Sequence, residues 1–107
     1  AGSVSAHHSH SNYEIIEFTH LQSKVTELYW INPHTRIFLE VSDVEGESMI
    51  WALEGASPTE LRRGGWREDN VQVGDTISVR CHRLKDGSNG CLLGFLTPEG
   101  GTEKEWD

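Results

Sequence analysis

An all-β domain interrupted by one short helix is the fold class this sequence predicts. Three observations predict it. Val, Ile, Thr, Trp and Phe recur in short runs, and clusters of Gly, Pro, Asn and Asp separate those runs at the spacing of all-β domains. Only the segment beginning at Ser57 carries a full set of helix signals. The 107 residues suffice for one core and no more, so the chain divides into an N-terminal arm, residues 1–12, and a single domain, residues 13–107.

The elements follow in order. Ala1 to Ala6 are small and uncharged, and Val4-Ser5-Ala6 has the small-residue character that ends a secretory leader, although Ala1-Gly2-Ser3 equally fits a cloning junction. His7 to Asn12 is too polar to join a core and is expected to be a flexible arm. Ile15, Ile16 and Phe18 mark Tyr13–Thr19 as an extended lead-in. Leu21 to Ile31 reads as a long first strand whose alternation slips midway, Leu21 and Val25 in one phase and Leu28 and Trp30 in the other. One extra residue at a bulge produces that slip and lets a bent strand serve two sheets.

Asn32-Pro33-His34 makes a turn, because Pro fixes φ and Asn favours turn initiation. Thr35 to Ser42 is the second strand, with Ile37, Leu39 and Val41 on one face. Asp43 to Glu47 closes a hairpin into Ser48–Glu54, where Trp51 is a core candidate. Ser57-Pro58-Thr59-Glu60 opens the helix as a capping box with Pro at the first helical position, and Gly64-Gly65 ends it after about two turns. Gly74-Asp75 turns the chain into Thr76–Leu84, with Ile77, Val79 and Cys81 on a shared face. Lys85 to Gly90 is a loop, and Cys91–Thr97 returns with Cys91, Leu93 and Phe95 in phase. Pro98 to Gly101 then leads into an acidic tail.

Three strands, a short helix and two more strands is the order of an OB-type barrel of five to six strands, the helix lying between strands 3 and 4 and plugging one end. A sandwich built from the same elements remains the alternative topology.

Five ordered motifs carry a resemblance: His7-His8-Ser9, Trp30-Ile31-Asn32-Pro33-His34, Trp51 through Pro58, Gly65-Trp66 with Gly74-Asp75, and Lys85-Asp86-Gly87-Ser88. Together they resemble domain-of-unknown-function family 6152 over His7 to about Pro98. The chain departs from the family pattern at Ser23-Lys24, where a glycine is common, and in having the pair Cys81 and Cys91. The resemblance implies a small bacterial protein made with a signal peptide, hence export to the periplasm or beyond, and no assigned activity.

Composition narrows the function classes. A formal net charge of −8 repels a phosphate backbone, and the nine Lys and Arg form no long cluster, so nucleic acid is not an expected partner. No apolar run approaches the roughly 20 residues of a membrane-spanning helix. A phosphate-cradling glycine loop, a nucleophile elbow and paired CxxC ligands are all absent from the sequence, and catalysis is not expected.

The histidines are the unusual feature. His7, His8 and His10 lie within four residues, where imidazoles can gather copper, zinc or nickel, and His34 is a further candidate ligand across a fold-back. A polar tail and a hydrogen-bonded turn residue are the plainer readings of the arm and of His34. Trp30, Trp51 and Trp66 are candidates for a ligand groove of an interaction module that recognises a protein or small ligand, against the alternative that they fill the core. Arg62, Arg63 and Arg67 read as a solvated face at the helix C-terminus. Cys81 and Cys91 fall on inward phases, and a hairpin centred near Asp86 places them opposite each other; a disulfide is expected in an oxidising compartment, and two buried thiols otherwise.

Overall fold

In a computed structural model that describes residues 12–107, strand β1 (Thr19–Tyr29) is shared between two halves of one barrel. Its first half pairs with β4 (Thr76–Arg83), from Thr19 opposite Cys81 to Lys24 opposite Thr76. Its second half pairs with β2 (Arg36–Ser42), from Lys24 opposite Glu40 to Tyr29 opposite Arg36. Between Val25 and Glu27 the register shifts. Thr26 is the extra residue, and it accounts for the slip in apolar phase along this strand.

Strand β3 (Ser48–Glu54) forms a hairpin with β2, its turn held by Asp43 Oδ1, which accepts from the amides of Glu45 and Glu47 at 2.8 and 2.9 Å. Strand β5 (Gly90–Thr97) pairs antiparallel with β4 and parallel with β3 through Ala52–Gly90, Leu53–Cys91 and Glu54–Leu92. The parallel contact closes a five-stranded OB-type barrel. Ile37, Leu39, Leu53, Ile77 and Leu93 fill it and are essentially inaccessible.

Helix α1 (Pro58–Arg63) forms where the capping box requires it: the Glu60 amide donates to Ser57 Oγ, and the Ser57 amide donates to Glu60 Oε1. It buries Pro58 and Leu61 against one end of the barrel. A 3-10 turn (Glu68–Asn70) then delivers Val71 to the core.

Two expectations are corrected, and one element is added. The alternation of β5 breaks at Gly94: Arg80 faces Phe95 while Cys81 faces Leu93, so Gly94 is an extra residue that turns Phe95 outward and Leu96 inward. Glycine belongs at this bulge, since an added Cβ would lie 2.9 Å from Phe18 and 3.3 Å from the Arg80 carbonyl. Next, Cys81 and Cys91 are bonded with a Cα separation of 5.5 Å but are diagonal neighbours, because the hairpin centres on Gly87 (φ +83) and pairs Arg83 with Cys91. The added element lies in the acidic tail. Lys104–Glu105 forms β6 on the edge of β5, and Trp106 is fully buried.

Candidate functional site

Two places on the barrel gather the chemistry. The first is the closed end beneath α1, where the Trp106 indole sits against Trp66 with ring centroids 4.6 Å apart and against Trp30 at 6.0 Å. Thr35, itself fully buried, organises this end. Its hydroxyl donates to the Ala56 carbonyl at 2.8 Å and accepts the Trp106 indole N–H at 3.0 Å, while its backbone exchanges hydrogen bonds with Gly55 and Ala56. Gly55 leaves the space the indole occupies, since a Cβ there would fall 2.3 Å from Trp106 Cδ1. Trp66 Nε1 donates to the Glu105 carbonyl at 2.5 Å.

The sequence-predicted tryptophans do not share one open face. Trp51 and Trp66 are 7% and 2% exposed, and Trp30 is half-buried. A cation covers each: Arg62 lies 5.9 Å from the Trp30 ring, Arg83 4.9 Å from Trp51, and Lys104 4.5 Å from Trp66. Arg62 thus packs on Trp30 as well as sitting at the end of α1. Nothing in the sequence marks Trp106, because one aromatic among Glu103, Lys104, Glu105 and Asp107 has no periodicity.

The second place is a node around Glu54, the last residue of β3. Tyr13 pairs with Leu84 in an isolated bridge, is 7% exposed, and directs its hydroxyl to Glu54 Oε1 at 3.5 Å. Burial first, and the Glu54 charge second, push the Tyr13 hydroxyl up to about 12. On its other side Glu54 Oε2 lies 3.6 Å from His34 Nε2. His34 follows a cis Asn32–Pro33 bond in the turn between β1 and β2. One carboxylate therefore joins the start of the domain to the one candidate ligand within the described residues. His7, His8 and His10 lie outside the described residues. Among the described residues no three His, Cys, Asp or Glu side chains are close enough together to hold a metal ion.

The other histidines serve the surface. His82 Nδ1 is 2.9 Å from the Glu17 carbonyl, and its ring stacks on Phe18 at 4.4 Å, pinning the lead-in to β4. His20 lines a shallow cleft with Arg80 and Glu103. In that cleft Arg80 donates to both carboxylate oxygens of Glu103, from Nε at 2.9 Å and Nη2 at 2.8 Å, and this bidentate pair holds the Glu103 carboxyl below its ordinary range.

Fold and site together define a small closed β-barrel with a tryptophan-packed end and a disulfide between its last two barrel strands. The chain belongs to DUF6152, a family of unknown function whose model matches residues 1–93. No curated protein and no solved structure matches it. No helix among the described residues is long and apolar enough to cross a membrane.

Proposed function

We propose that this chain is an exported, non-enzymatic binding module that takes Cu(II), or another divalent metal with nitrogen preference such as zinc or nickel, through His7, His8, His10 and His34. One observation carries the reading: the Glu54 carboxylate touches both Tyr13 and His34. His10 precedes Tyr13 by three residues, a span of at most about 10 Å, and Tyr13 shares the Glu54 carboxylate with His34. If export processing leaves His7 first, its free amine and imidazole supply two nitrogens, and neighbouring imidazoles complete the planar set that Cu(II) favours. A terminus one residue earlier offers the amine, two amides and the imidazole of His8. The Cys81–Cys91 bond supports an oxidising compartment, the periplasm or beyond. Nucleic acid is a poor fit for a chain of net charge −8.

The test is Cu(II) titration by calorimetry of chains beginning at Ala1, Ala6 and His7. A stoichiometric site that tightens when the terminus is freed at Ala6 or His7 is the expected result. Equal, weak affinity in all three would reduce the arm to a polar tail.

A further inference from the structure

The segment Thr102–Asp107 sits on the barrel as a bound peptide would. Besides the Trp66 contacts to Lys104 and Glu105, three features hold it. Glu103 is gripped by Arg80, whose guanidinium is oriented by the rings of Phe95 at 4.1 Å and Phe18 at 5.1 Å. Lys104 and Glu105 add a two-residue strand to β5, opposite Leu96 and Phe95. Trp106 enters the socket formed by Thr35, Gly55, Trp30 and Trp66, its amide donating to Gly94 O at 2.9 Å and its carbonyl accepting from Ala56 N at 3.2 Å. Gly94 O reaches this amide from the extra residue of the β5 bulge.

These parts are arranged as a short strand edge flanked by two side-chain pockets rather than as one more barrel strand. The first half of β5 is sealed by β3, and only its second half has an edge to offer. Edge pairing supplies affinity to an extended segment, and pockets for selected side chains supply its specificity. Here the two pockets are an arginine set for a carboxylate and an indole socket, three residues apart along the occupant. The connection back to the barrel, Pro98 to Gly101, runs through a turn with Gly100 at φ +73 and buries none of its own side chains deeply.

We propose that this groove is a binding site for extended acidic peptide segments of a partner protein, carrying tryptophan three residues after a carboxylate, and that Thr102–Asp107 is its resident occupant. The inference is independent of metal binding and shares none of its residues. An intramolecular occupant acts as a competitor at an effective concentration near the millimolar range, so a peptide in trans binds well only when the resident tryptophan is removed.

The probe is a fluorescein-labelled peptide of sequence Gly101 to Asp107, measured by anisotropy against the full chain and its Trp106→Ala variant. The variant should bind at least about tenfold tighter than the unaltered chain, as relief of that competition requires. Adding Arg80→Ala to the variant, or replacing the peptide's tryptophan by alanine, should abolish the gain. If Trp106→Ala is folded and fails to bind, or binds the alanine peptide equally, the proposal is overturned. If the variant is unfolded, recovery of its near-ultraviolet dichroism on adding peptide supports the proposal, and no recovery overturns it. A dimer of the unaltered chain that excess peptide cannot dissociate would also overturn it, assigning the groove to a second copy.

Discussion

The indole N–H of Trp106 donates to the hydroxyl of Thr35 across 3.0 Å, tying together residues 71 positions apart in the chain. Both are fully buried, and the same hydroxyl donates onward to the Ala56 carbonyl. The barrel end is thus sealed by a hydrogen-bonded chain inside an apolar setting, where an unpaired group is costly.

Thr35→Val should destabilise the domain by about 1–3 kcal/mol, because it keeps the shape and strands the indole N–H. Gly55→Ala should cost a similar amount by overpacking, since its Cβ would fall 2.3 Å from Trp106 Cδ1. Urea denaturation checks both. A midpoint within error of the unaltered chain for Thr35→Val would mean that the hydrogen bond contributes nothing.

The Cys81–Cys91 bond closes a short loop, with the two residues 10 apart. Chain-entropy reasoning assigns such a loop about 2–3 kcal/mol. Reductant, or the double change Cys81→Ala with Cys91→Ala, should lower stability by that amount, and thiol labelling of the denatured, unreduced chain should find no free sulfhydryl.

Tyr13 sets an alkaline limit. Its hydroxyl is raised from 10.0 to about 12 by burial and then by Glu54, so the folded state favours the protonated phenol. The resulting stability is present in full below pH 10 and is lost as pH rises through about 12. Tyr13→Phe should flatten the fall in thermal midpoint across that window. Glu54→Gln should shift it only partly, since burial is the larger cause. An unchanged pH profile in Tyr13→Phe would place the loss elsewhere.

His34→Ala should weaken Cu(II) binding by about tenfold or more in a chain beginning at His7, the scale on which metal sites respond to losing a supporting group. Its thermal midpoint without metal should move little, as the side chain is 37% exposed. Calorimetry of the two chains side by side is the check, and identical affinities would remove His34 from the site.

Much of this molecule was legible in its residues because the deciding interactions are local or periodic. The capping box at Ser57–Glu60 needs only a three-residue spacing. The bulge in β1 shows itself as a change of phase between Val25 and Leu28, and β2 as the shared phase of Ile37, Leu39 and Val41 ahead of the turn residues Asp43–Glu47. The resemblance to DUF6152 was likewise readable from ordered motifs. What the sequence could not determine depends on partners far along the chain. The β5 bulge falls at Gly94, where glycine serves a close approach of Phe18 and the Arg80 carbonyl, and nothing next to Gly94 announces either. Glu54 looks like the end of a strand until folding places Tyr13 and His34 on its two oxygens. Trp106 looks like one aromatic in a charged tail until Thr35 and Gly55, brought side by side by backbone hydrogen bonds, form the cavity that accepts it. Periodicity reports which face of an element is buried, but a socket is made by several elements at once, and only the closed barrel brings them together.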